Sequence, residues 1–189
     1  MFSSGNMSTD KLHEATDRLV DAFVERVNTR PRERLDSHGV PEPLRLGATD
    51  QQGRCDWKIA PSAGAAWLAD LQGQLPGRLP PSFLSLVQRY VFPAFALADV
   101  MLFANTGTAG ELELATATLR DQALSRVLLR EGFVQFGRFR GKNDPVCFDL
   151  CGRVGGGECP VARLDYDEAV RGRTKIVARV ADSFSSLIS

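Results

Sequence analysis

The chain has 189 residues, a length that suits one domain with an appendage, and its 23 basic side chains balance its 23 acidic ones. That balance argues against a general nucleic-acid binder, whose phosphate contacts need a basic excess. The longest apolar run, VFPAFALADVMLFA, is too short to span a bilayer and holds Pro93 and Asp99; MFSSGNMSTD lacks the basic-then-apolar pattern of an export signal, so a cytoplasmic protein with reduced thiols is expected.

STDKLHEATDRLVDAFVERVNTR places Leu12, Ala15, Leu19, Phe23 and Val27 at steps of three and four, beside Val20 and Val24, which predicts an amphipathic helix ended by Arg30-Pro31. His13 falls off its apolar face and reads as a solvated side chain. Residues 31–61 show little periodicity and read as a long irregular connection that wraps the core or links the helix to a separate body, with RCDWKIA as a short strand inside it. SAGAAWLADLQGQL predicts a second helix, capped by Ser62, with Trp67, Leu68 and Leu71 facing inward. Pro80 and Pro81 suit the first turn of a third helix, where proline loses no backbone donor, and Phe83, Leu84, Val87 and Tyr90 then share a face.

AFALADVMLFA reads as one buried strand between Pro93 and the turn residues NTGTAG. TATLRDQALSRVLLREG predicts a fourth helix with Leu124, Val127 and Leu128 as its stripe and Gly132 as its stop. FVQFGRF, PVCFDL, PVARLDY and KIVARV predict four short strands, and ADSFSSLIS a closing helix with Phe184 and Leu187 or Ile188 inward. Helices followed by hairpins predict an α+β fold: a mainly antiparallel sheet of about five to six strands packed against helices, with an extra N-terminal helix. Residues 1–60 form an N-terminal extension packed on or linked to a domain over 61–189.

The segment DPVCFDLCGRVGGGECPVARLDY holds Cys147, Cys151 and Cys159; the fourth cysteine is Cys55. Structural zinc sites usually place two ligands on a tight knuckle and repeat the unit. Here the first pair is Cys-x3-Cys, Cys159 stands eight residues on, and both histidines lie in the first 40 residues. Strand alternation puts Cys147, Asp149 and Cys151 on one face and Val146, Phe148 and Leu150 on the other, the pattern of a strand with one well-packed face. The cysteines are therefore read as free thiols, with CGRVGGGEC as a hairpin loop whose glycines accept left-handed conformations and no metal bound. No Cys-x-x-Cys signals a redox pair, and VGGGE lacks the strand-to-helix setting of a phosphate loop. Asp144, Asp149, Asp165, Asp167 and Glu168 line a turn region or one face; such carboxylates can serve acid–base chemistry but more often simply face solvent. GRFRGK puts Arg138, Arg140 and Lys142 beside Phe133, Phe136 and Phe139, an alternation explained by an apolar inner and a charged outer face, so no direct nucleic-acid binding is expected.

Four pieces taken together, WLADLQGQLPGRLPPSFLSLV, DPVCFDL, PVARLDYDEA and ADSFSSLI, resemble the SUKH superfamily: the Smi/Knr cell-wall regulator family and its bacterial immunity-protein relatives. The matching positions are Leu79, Pro80 and Phe83, then Cys147, Phe148, Asp149 and Leu150, then Asp165, then Ser183 and Phe184. The resemblance covers about residues 62 to 189; the Asn-Gly-Gly that often follows the Leu-Pro helix is replaced by RYVFPAF. It implies a protein-binding domain without catalysis or cofactor, in bacteria often an immunity protein that neutralises a nuclease-like toxin by contact. Asp144, Asp165, Asp167 and Glu168 are then the expected partner-binding residues, since a nuclease presents a basic groove. A regulatory or scaffold domain of the same fold is the alternative, and a metal-dependent enzyme built on the cysteines and aspartates a third.

Overall fold

The computed structural model describes residues 9–106, 113–121 and 123–189. Helix α1 (Thr9–Thr29) buries Val20, Phe23 and Val24; of the rest of the expected stripe Leu12, Leu19 and Val27 are half-buried and Ala15 is exposed, and His13 is exposed as expected. The connection that follows wraps the core. It forms a small sheet from β1 (Leu35–Asp36), β2 (Arg45–Leu46) and β3 (Arg54–Trp57), then β4 (Ala60–Pro61). Val40, Leu44, Cys55, Trp57 and Ile59 enter the same hydrophobic cluster as α1 and the later helices, so residues 9–60 contribute to the main core.

Helix α2 (Ala66–Gly73) buries Leu68 and Leu71, while Trp67 is half-buried at the edge of the cluster. Ser62 does not cap it: its hydroxyl closes a local turn on Gly64, and Ala65 stands at the cap position without a side-chain bond. Helix α3 (Pro81–Arg89) starts on the second proline as expected and buries Phe83, Leu86 and Val87. It runs into β5 (Tyr90–Val91), which pairs with β4.

AFALADVMLFA is two strands: β6 (Phe95–Leu97) and β7 (Val100–Leu102) pair antiparallel around Ala98 and Asp99. Ala98 takes φ +50°, a conformation usually left to glycine, which is why the turn carries no sequence signal. The expected fourth helix is also broken. A short α4 (Glu113–Ala115) continues as a π-turn over Thr116–Arg120, ends at Asp121, and the chain re-enters helix as α5 (Ser125–Arg130). Most of the NTGTAG turn signal lies outside the described residues.

The remaining strands match their reading: β8 (Phe133–Phe139), β9 (Pro145–Asp149), β10 (Val161–Leu164) and β11 (Ile176–Ala181), with α6 (Tyr166–Val170) between the last two and α7 (Phe184–Ile188) closing the chain. The main sheet has six strands in the order β11-β10-β9-β8-β7-β6, all antiparallel. The fold is α+β. One face of this sheet packs on α1, α3 and α7 through Phe83, Phe136, Phe148 and Phe184, whose rings lie 4.0–5.9 Å apart. The other face is also covered. Cys147, Ala162 and Leu164 meet Leu124 just before α5, Leu128 of α5 and Ala169 of α6, so β9 is packed on both sides rather than one.

Candidate functional site

The four acidic residues singled out in the sequence converge around the start of α6, with different surroundings. Asp144 precedes β9, and its carboxylate accepts from Arg163 Nε at 2.7 Å and from Arg163 Nη2; the pair is five-sixths buried and Arg163 lies over the Phe139 ring at 3.9 Å. Asp144 Oδ1 also accepts the Tyr166 N–H at 3.4 Å. This aspartate is therefore a structural ion pair that ties β9 and β10 to α6.

Asp165 is the N-cap of α6: it leaves β10 in extended conformation, and its side chain accepts the Glu168 N–H at 3.1 Å. Lys175 stands 3.8 Å from its other oxygen. Glu168, in the first helical turn, takes Arg173 at 2.8 Å and Arg171 at 3.1 Å. The hydrogen bond from Arg173, more than any other contact, holds its carboxyl below the usual glutamate range. Asp167 is exposed and forms no salt bridge among the described residues. Acidic residues suit the first turn of a helix, where they face the positive end of its dipole. Three of the four carboxylates thus spend their charge on partners within the chain, and Asp167 is the one presented outward.

The same connection carries three large apolar side chains that sequence reasoning missed. Val170 at the end of α6 is 49% exposed, and Ile176 and Val177 at the start of β11 are 52% and 45% exposed. β11 is the outermost strand of the sheet, and its first four residues are exposed on both faces. KIVARV reads as a strand, but its position at an edge depends on strand order. The interleaved Lys175 and Arg179, with register shifts against β10, are the devices by which edges resist unwanted pairing.

The three cysteines of the glycine loop separate in space. Cys147 lies between β9 and α5–α6, Cys159 belongs to the main core, and Cys151 is exposed. Burial pushes the Cys147 thiol well up and the Cys159 thiol up to about 12. Among the described residues, no three of His, Cys, Asp and Glu converge as a metal ion requires. The loop itself is the link of the β9–β10 hairpin; Gly156 and Gly157 take φ +72° and +82°, as the glycine run predicts.

A groove of about 530 Å³ between α1 and α3 brings His13, Asp17, Arg78, Ser85 and Arg89 together. Ser85 Oγ donates directly to Asp17 Oδ1 at 2.6 Å, so the hydroxyl is spent on a carboxylate instead of an imidazole base. This contact, with Arg89 3.6 Å from the same Asp17 oxygen, belongs to the polar seam between α1 and α3. No helix among the described residues is long and apolar enough to cross a membrane.

No protein-family model matches this chain, and no curated protein matches it.

Proposed function

We propose that this chain is a non-catalytic protein-binding domain of the immunity type, acting in the cytoplasm to neutralise a nuclease-like toxin by direct contact. The observation that carries the reading is the concentration of exposed apolar side chains, Val170, Ile176 and Val177, along the α6–β11 segment that also holds outward-facing Asp167. Binding surfaces pair a few apolar anchors with a charged rim, the anchors holding the complex and the charges speeding encounter. The immunity assignment rests on the resemblance of residues 62 to 189 to the SUKH superfamily. Asp144, Asp165 and Glu168 act in this reading by shaping the connection, through Arg163, the α6 cap and Arg173, more than by touching the partner.

The test is co-expression with the toxin encoded beside it, followed by co-purification and a growth assay. Equimolar complex and protected cells are expected. Ile176→Asp with Asp167→Lys should release the complex while circular dichroism and melting stay close to the parent. Cell death despite folded parent protein, or protection at far less than one copy per toxin, would overturn neutralisation by binding.

A further inference from the structure

The C-terminal end of α1 meets the open edge of β6, at the opposite border of the main sheet from β11. A cavity of about 190 Å³ opens there, walled by Phe23, Trp57 and Phe95 and ringed by Arg26, Arg30 and Arg32. Among the described residues, none of these three arginines forms a salt bridge. Arg26 donates to the Ile188 carbonyl and lies over the Phe23 ring at 5.8 Å. Arg32 donates to the carbonyls of Val27 and Trp57, lies over the Trp57 ring at 4.7 Å, and keeps a buried Nε without a partner. Arg30 is exposed. Asp56 acts on Arg32 from a distance but is itself engaged by Arg34 at 3.5 Å. The carbonyl end of α1 offsets part of this charge; Arg32 lies beyond the helix, and burial pulls its pKa down. The corner is a cationic recess walled by aromatic rings, with no carboxylate in a salt bridge to these arginines among the described residues.

The backbone beside it is unpaired as well. Leu97 and Val100 flank the two-residue turn and pair with each other, so the next pair, Ala96 with Met101, is of the non-hydrogen-bonded kind. The N–H and C=O of Ala96 therefore point away from β7, to the side on which no other strand of the sheet lies. The recess is smaller than the roughly 300–1,000 Å³ of small-molecule sites; it suits one apolar side chain of a longer ligand.

We propose that this corner binds an extended acidic peptide of a partner protein. Its backbone adds to β6 at Ala96, one apolar side chain enters the recess beside the packed Trp57–Phe95 pair, and its carboxylates meet Arg26, Arg30 and Arg32. Strand addition supplies main-chain bonds, while the recess and the guanidiniums select the sequence. The site does not depend on the α6–β11 surface, and either can fail without the other.

The experiment uses the full chain and a dye-labelled Glu-Glu-Leu-Glu-Glu peptide followed by fluorescence anisotropy. Saturable binding is expected, weakened by added salt and by about tenfold or more in Arg30→Glu, a loss of 1.4 kcal/mol per tenfold. Arg126→Glu, an exposed reversal on α5, should leave it unchanged. Methylating the leucine amide nitrogen should abolish it if the peptide adds as a strand. Absence of binding at about 1 mM peptide, equal binding of a Lys-Lys-Leu-Lys-Lys peptide, or equal weakening by Arg126→Glu overturns the proposal. Undiminished binding of the methylated peptide overturns the strand geometry. A dimer that Arg30→Glu converts to monomer, with no peptide bound, assigns the corner to a second copy of the chain and also overturns it.

Discussion

The carboxylate of Glu158 accepts the backbone N–H of Ser82 at 2.9 Å, across 76 residues of sequence. Ser82 is in the first turn of α3, so Glu158 serves as a cap donated from a distant loop; Pro80, at the cap position, makes no side-chain bond. Its second oxygen reaches the Ser185 N–H at 3.5 Å, in the first turn of α7. One side chain of the glycine loop thus faces the positive ends of two helices. Glu158→Ala should lower stability by about 1–2 kcal/mol. Urea unfolding checks this; an unchanged midpoint would show that solvent caps both helices equally well.

Phe83 lies 4.9 Å from Phe148, 5.2 Å from Phe184 and 5.7 Å from Phe136, joining α3 to the sheet and to α7. Phe83→Ala should cost about 3–5 kcal/mol, the range for a buried aromatic. Trp67, equally aromatic and equally suggestive in sequence, is half-buried, and Trp67→Ala should cost less. The two variants compared by thermal melting test the ranking.

Gly137 sits where β8 slips its register against β9. A Cβ there would stand 2.5 Å from the Met101 carbonyl oxygen, a backbone atom that cannot move aside without parting β7 from β8. Gly137→Ala should destabilise by about 1–3 kcal/mol or more. Gly39→Ala, where a Cβ meets open space and φ is ordinary, is the control and should melt like the parent.

Cys151 is exposed, whereas Cys55, Cys147 and Cys159 are buried. Iodoacetamide at about pH 8 should therefore modify one thiol in the folded protein and all four after denaturation. Intact mass reads the result. Prompt modification of two or more would contradict the packing around Cys147 or Cys159.

Asp21 on α1 accepts from Arg89 Nη2 and from the Tyr90 hydroxyl at 2.6 Å. The Arg89 hydrogen bond is the larger cause holding its carboxyl below the usual aspartate range. A depressed value contributes stability above the unfolded pKa of about 3.9, and that contribution fades as pH falls through the folded value. The effect is modest, since Asp21 is 46% exposed and screened. Asp21→Asn should flatten the acid side of the stability curve; a parallel curve would show the pair to be idle.

The sequence by itself determined the elements whose signal is local. Leu12 to Val27 repeat at helical spacing, Pro80-Pro81 open α3, four short runs end in turn residues, and Gly156 and Gly157 allow the hairpin link. Each follows from steric or hydrophobic preferences between neighbours in the chain. Tertiary structure decided whatever depends on what lies opposite. Alternation sorts Cys147 from Phe148 but cannot say that α5 and α6 cover the Cys147 side, because those helices come from elsewhere in the chain. Asp144 and Asp167 look alike in sequence; the first is buried against Arg163 and the second faces outward. Ile176 and Val177 read only as residues of a short strand, and strand order puts that strand at an edge. Ala98 turns the chain without a turn residue because β6 and β7 pair on either side of it, holding the backbone where its own preference would not.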